Sequence, residues 1–156
     1  MDDLSASQTV MGLALTVATV SELPVLAYSG RMLRRWGARG MLILSLVMYI
    51  VRTLSYSLVS APWQVLVIQL LHGLTFSSMW VAGVAYAADA APEGLGATAQ
   101  GLFSAVMMGL GGMVGSLING FLIERWGGAI MFRLDSVFAM IGLVLFLVAG
   151  RIRRRA

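Results

Sequence analysis

The chain has 156 residues, of which 59% are hydrophobic and only 12% charged, and its mean hydropathy is +0.87; soluble domains carry about a quarter charged residues, so this surface is built for lipid. The net charge of +4 rests on eleven basic residues, every one an Arg, eight of them in the stretches Arg31–Arg39 and Arg151–Arg155 beside apolar tracts. That placement signals membrane topology and contact with anionic membrane lipids and excludes a nucleic-acid-binding face, while the lack of cysteine excludes a disulfide frame, a thiolate metal site and a Cys nucleophile.

The N-terminal Met-Asp-Asp-Leu is acidic where a secretory signal is basic, and the apolar tract after it is too long for a signal, so it reads as a retained span. Five tracts reach the roughly twenty apolar residues a crossing helix needs: 9–29, 41–60, 63–88, 97–123 and 129–150. Lipid offers no partner to an open sheet edge, and no series of alternating ten-residue segments suits a barrel. The expected fold is therefore all-α, a single polytopic transmembrane bundle of about five spans over residues 1–156.

The first span carries Glu22, the second Arg52 and the third His72. An ionisable group at such depth costs roughly 2.5–3.5 kcal/mol on insertion scales, so each needs a partner or a purpose. At about 1.5 Å per residue, Glu22 lies roughly 12 Å and Arg52 roughly 18 Å from the inner helix ends, near enough for a flexible Arg to pair with it. Glu22 is read as the sole carboxylate near midplane. Helical spacing puts Ser45, Tyr49, Arg52 and Tyr56 on one face of the second span, and Gln69, His72, Phe76 and Trp80 on one face of the third; such stripes line a wet cavity. The bland alternative is a buried structural Glu22–Arg52 pair, with His72 bonded to a neighbouring helix.

In the fourth span Gly111-x-x-x-Gly115 is a small-residue seam for close helix packing, and Asn119 can add an interhelical hydrogen bond. Gly109-x-Gly111 is no dinucleotide fingerprint, since Val114 holds the third glycine position, and a chain without Lys has no phosphate loop. No cofactor or metal is expected. With no Ser/His pair beside an acid and no paired carboxylates at depth, neither is an enzyme.

Arg counts place the first connector and the C-terminus in the cytoplasm and the N-terminus outside. The connectors also hold an internal repeat: Gly30-x-x-x-Arg34-Arg35-Trp36-Gly37 returns ninety residues later as Gly120-x-x-x-Glu124-Arg125-Trp126-Gly127. One copy lies inside and the other outside, so the repeat is inverted, a construction principle of secondary transporters with substrate sites near the midplane.

At these residues the sequence resembles the major facilitator superfamily, whose loop signature Gly-x-x-x-Asp-Arg-x-Gly-Arg-Arg is matched within one position by Gly30, Arg35, Gly37 and Arg39, with Arg34 in place of the acid. Ser21-Glu22-Leu23-Pro24, Tyr49-Ile50-Val51-Arg52, Leu70-Leu71-His72-Gly73-Leu74-Thr75 and Ala97-Thr98-Ala99-Gln100-Gly101 narrow the resemblance to the lactose-permease and nucleoside–proton symporter branch. It implies a partial major facilitator fold, about helices eight to twelve of twelve, that works with a missing N-terminal transporter half. It also implies a multi-pass protein of the plasma membrane that moves a small polar organic solute as its small-molecule substrate. In that branch the residues matching Glu22, Arg52 and His72 bind substrate and assist proton coupling, and a Glu one turn after the His carries the proton. Here that position is Thr75, which cannot titrate near neutral pH. Either Glu22 takes the proton, or a group in the missing half does, or proton coupling is absent. The alternative to transport is a membrane scaffold or receptor on the same fold.

Overall fold

The computed structural model describes residues 8–152; Asp2 and Asp3 of the acidic N-terminus and Arg153, Arg154 and Arg155 of the basic tail lie outside the described residues. The described chain runs as α1 (Gln8–Tyr56), α2 (Pro62–Gln69), a π-helical segment Gly73–Ser77, α3 (Ser78–Ala90), α4 (Gly96–Ser104), a second π-helical segment Ala105–Gly111, and α5 (Gly112–Ile152). No strand occurs among the described residues. The tracts Gln8–Tyr56, Pro62–Ala90 and Gly96–Arg151 are long and apolar enough to cross a membrane.

The 49 residues of α1 would extend about 74 Å as one straight rod, more than twice the roughly 30 Å of a bilayer's hydrocarbon. The rod is not straight. At Gly37 the backbone turns to φ 67°, ψ 168°, and in α5 Gly127 does the same at φ 78°, ψ 166°. Only glycine occupies that region without steric cost. Both are the closing glycine of the repeated eight-residue motif, so the two copies share a backbone corner as well as a sequence. The Arg-rich stretch is helical up to Trp36, where the sequence predicts a connector spanning residues 30–40. One left-handed residue suffices for the corner, and Arg and Trp before it have no reason to leave the helix.

The helix after Gly37 ends at Tyr56, earlier than the predicted 60. A turn follows, in which the Gln64 side-chain oxygen accepts the backbone N–H groups of Ser60 (2.8 Å) and Ala61 (3.1 Å). Pro62 then opens α2 at the position where a missing N–H costs nothing.

Large apolar side chains such as Leu15 (69% exposed), Leu117 (70%) and Leu145 (64%) point outward, while Ser45, Thr53, Thr75, Ser77, Ser78 and Ser136 are buried. Apolar outside and small polar groups inside is the arrangement that lipid favours, because helices there associate through close packing and hydrogen bonds. An apolar cluster of Met41, Leu42 and Ala82, flanked by Met32, Leu33, Tyr86 and Phe146, closes the end of the bundle near Gly37.

The first half of α1 crosses the α2–α3 tract at Ser21. The Ser21 hydroxyl oxygen accepts the Gly73 backbone N–H (2.9 Å) and lies 3.3 Å from the Gln69 carbonyl, the acceptor that Gly73 would use in a regular α-helix. A side chain inserted into that step opens the helical ladder, and the wide turn Gly73–Ser77 begins there. A Cβ on Gly73 would overlap the Ser21 carbonyl. The close backbone approach expected at Gly111 and Gly115 is found here instead. Gly111 is exposed in the second π-helical segment, where a Cβ would meet only the Val106 carbonyl of its own helix at 3.3 Å, and a Cβ on Gly115 would meet nothing within 4 Å.

Gly73→Ala should therefore destabilise the folded protein by about 1–3 kcal/mol, the usual cost of overpacking, whereas Gly101→Ala, in open space, should be neutral or mildly stabilising. Thermal unfolding in detergent measures both. Equal stability of the two variants would contradict the Ser21–Gly73 crossing.

Candidate functional site

Next to Ser21 and Gly73, the crossing brings Glu22 and His72 together. Glu22 Oε1 lies 3.3 Å from His72 Nε2, with the two side chains 22% and 24% exposed, and Ser77 donates its hydroxyl to Glu22 Oε2 at 3.1 Å. The Glu22–Arg52 ion pair expected from depth is not formed. Arg52 donates through Nη1 to Thr75 Oγ1 (3.1 Å) and through Nη2 to Gln69 Oε1 (2.7 Å) and the Tyr56 hydroxyl (3.4 Å). Similar depth does not make a pair, because rotation about the helix axes decides the partners: Glu22 meets His72, while Arg52 meets Gln69 and Thr75 of the same tract. Thr75 is buried, accepts from Arg52 and donates to the His72 carbonyl (2.8 Å), so the hydroxyl bridges the two basic residues.

The stripe on the third tract is a stack of rings. His72 and Phe76 lie 5.5 Å apart and 8° from parallel, Phe76 and Trp80 lie 6.4 Å apart at 18°, and Trp80 meets Phe103 of α4 at 6.2 Å. Arg52 Nε and His72 Nδ1 are buried without a hydrogen-bond partner. These are two unsatisfied groups beside one carboxylate and an aromatic wall, and a polar ligand or water is what completes such a set. Ser45 belongs elsewhere: fully buried, it bonds the Leu42 carbonyl (2.9 Å) and touches the Met79 sulfur (4.0 Å), as packing.

A polar cavity also borders Arg52. Tyr49, Arg52, Thr53, Tyr56, Asn119 and Asp135 line an open cavity of about 220 Å³ together with Met131 and Phe132. Asn119 Nδ2 donates to Asp135 Oδ2 at 3.3 Å, and the Tyr56 ring stacks on Phe132 at 4.9 Å. Asn119 thus sits apart from Glu22 and His72. Asp135 overturns the reading that Glu22 is the sole carboxylate at depth. Its signal was present in the sequence: it lies eight residues beyond Gly127, about 12 Å along the helix, yet its nearness to Arg133 lets it pass as part of a charged helix end. Ser21, Ser77, Phe103 and Phe132 were also missed, and single residues of these types carry no sequence signal in an apolar helix.

The loop-signature residues stay at the rim. Gly30, Arg34 and Arg35 are exposed, and Gly37 makes the corner. Arg39 reaches back to the last helix, donating to the Leu147 carbonyl at 3.4 Å with its guanidinium 5.5 Å from the Phe146 ring. Among the described residues no group of three or more His, Asp or Glu gathers to hold a metal.

The sequence profile of the MFS_1 like family matches residues 1–134. The chain is 32% identical over 152 residues to a maltose permease of Geobacillus stearothermophilus, covering 97% of this chain and 39% of that protein. It is 29% identical over 148 residues to the major facilitator superfamily domain-containing protein 6-like protein A of Xenopus laevis, covering 95% of this chain and 24% of that protein. With a probable 3-phenylpropionic acid transporter of Escherichia coli it shares 30% identity over 139 residues, covering 88% and 35% respectively. The chain thus spans between a quarter and two-fifths of the length of these relatives. No solved structure matches.

The contacts predict that Glu22 and His72 are energetically coupled. In a double-mutant cycle on folded yield, Glu22→Gln and His72→Gln should be non-additive by about 0.5–3 kcal/mol, as touching groups are. Additive effects would rule the pair out.

Proposed function

The chain belongs to the MFS_1 like family, and on that premise we propose that it is the C-terminal part of a secondary active transporter for a small polar organic solute. It is an integral membrane protein. We read its three apolar tracts as five spans, because the corners at Gly37 and Gly127 divide two of them into lengths suited to a bilayer. The plasma membrane is the proposed residence, with the C-terminus in the cytoplasm.

The observation that carries the transport reading is the unfilled set at Arg52 Nε and His72 Nδ1 beside Glu22, inside a bundle whose exterior is apolar. Charged and amide donors beside stacked rings suit hydroxyl- and carboxylate-bearing solutes. In this reading Arg52, Gln69 and His72 offer hydrogen bonds to the solute, Glu22 accepts one, and Trp80 supplies an apolar plane. Preceding helices of a longer protein form the facing wall, and the solute passes between the two as access alternates. The names of the relatives agree with such a cargo, since one is a maltose permease and another a probable phenylpropionic acid transporter. Proton symport is the proposed mode of coupling.

Two measurements test this. Uptake into proteoliposomes holding the full-length protein, across disaccharides and aromatic carboxylates, should fall at least about tenfold in Arg52→Gln, the loss expected when a charged hydrogen-bond donor is removed. No uptake of any solute by wild type would favour the scaffold or receptor reading. For topology, the absence of cysteine makes each introduced thiol unique. Ser60→Cys should react with an impermeant maleimide in intact cells, while Glu93→Cys should react only after permeabilisation. The reverse pattern would invert the orientation.

A further inference from the structure

Arg52 is a guanidinium held by three neutral partners between two carboxylates. Thr75, Gln69 and Tyr56 take its Nη hydrogens, Nε is buried and unpaired, and among the described residues no carboxylate lies within ion-pair distance of it. Glu22 on one side is occupied by His72 and Ser77. Asp135 on the other side is held only by the neutral Asn119 amide, in a cavity that Arg52 itself lines. At about 220 Å³ the chamber has room for several waters, each taking about 30 Å³ of liquid volume. Tyr49 lies within electrostatic reach of both Asp135 and Arg52, and His72 within reach of both Arg52 and Glu22. One cation therefore borders both the Glu22–His72 pair and the Asp135 cavity.

We infer that Asp135 is a proton-binding site, and that its occupancy is set by, and in turn sets, the position of the Arg52 guanidinium. This rests on the transport reading above for its use and names the group that couples a proton to the solute. A proton from chamber water adds to an Asp135 carboxylate oxygen, and Arg52 keeps all its protons throughout. With Asp135 neutral, nothing draws the guanidinium away from Gln69 and Thr75, where it faces the solute side. With Asp135 ionised, a bare carboxylate in the same cavity attracts the guanidinium, which leaves its neutral partners and weakens the solute side. Solute binding and proton binding then favour each other, as linkage requires of two ligands that prefer one state. The titratable groups facing Asp135 are Tyr49, Arg52 and Tyr56 from α1. The first half of α5 presents Asn119, which does not titrate, and Arg133, two residues earlier on its own helix, is exposed.

The test needs no transport. Dicyclohexylcarbodiimide reacts with protonated carboxyl groups in apolar surroundings, and peptide mass spectrometry locates the adduct in the full chain reconstituted in lipid nanodiscs. Asp135 should be labelled, with the yield falling as pH rises. Arg52→Gln should move that profile up by about one pH unit or more, because the cation that the ionised carboxylate would draw toward it is gone. Thr75→Val, which frees the guanidinium toward Asp135, should move it down, and Arg52→Lys should stay near wild type. The opposite directions separate this role from a structural one, and Thr75→Val decides the matter if Arg52→Gln does not fold. Labelling confined to Glu22, or an Asp135 profile unmoved by both Arg52→Gln and Thr75→Val, would overturn the inference. The expected labelling in a protein that moves no solute would overturn the transport reading alone.

Discussion

One hydroxyl group sets the geometry of this bundle. By lying between the Gly73 N–H and the Gln69 carbonyl, Ser21 ties two crossing helices at their backbones, and it does so in a medium where no water can complete an opened hydrogen bond. Gly73 has to be a glycine for the approach to be possible. Once these two residues touch, their chain neighbours Glu22 and His72 face each other, and the partners left for Arg52 are Gln69 and Thr75. The polar seam is the direct consequence of a packing contact.

Polar side chains within the seam then account for each other almost completely. Thr75 bonds upward to Arg52 and back to His72; Ser77 bonds Glu22; Gln69 takes the shortest of the Arg52 contacts at 2.7 Å. Among the described residues the exceptions are Arg52 Nε, His72 Nδ1 and Ser78 Oγ. In a membrane interior such gaps are costly, and two of the three fall on the ionisable residues Arg52 and His72.

Composition made the all-helical membrane character legible, and the depth of Glu22, Arg52 and His72 marked where the polar interior lies. Pairing was not legible, because depth along a helix follows from counting residues while azimuth depends on which helices touch. Glu22 and Arg52 are close in depth and still take different partners. Asp135 was passed over for a related reason. A charge near a helix end is read as solvated, and only the fold shows that it turns inward to Asn119. Gly111 and Gly115 satisfy the spacing rule, yet among the described residues no other helix lies against them, while the lone Gly73 makes the close contact. The repeated motif was legible as sequence, and its matched corners at Gly37 and Gly127 give it a conformational meaning that identity of letters could not.

The wide turn Gly73–Ser77 also acts as a correction of phase. An α-helix rotates about 100° per residue, so side chains eight positions apart, such as His72 and Trp80, would drift about 80° around a regular helix, toward the edge of their shared face. Residues bonded five apart advance by only roughly 80° each, and five of them cancel most of that drift. Successive rings along this stretch lie 8° and then 18° from parallel. Closing the wide turn into a regular helix would rotate Trp80 and everything after it by most of a residue's arc, so the aromatic wall can be assembled or dispersed by one local change in winding, with no helix having to slide.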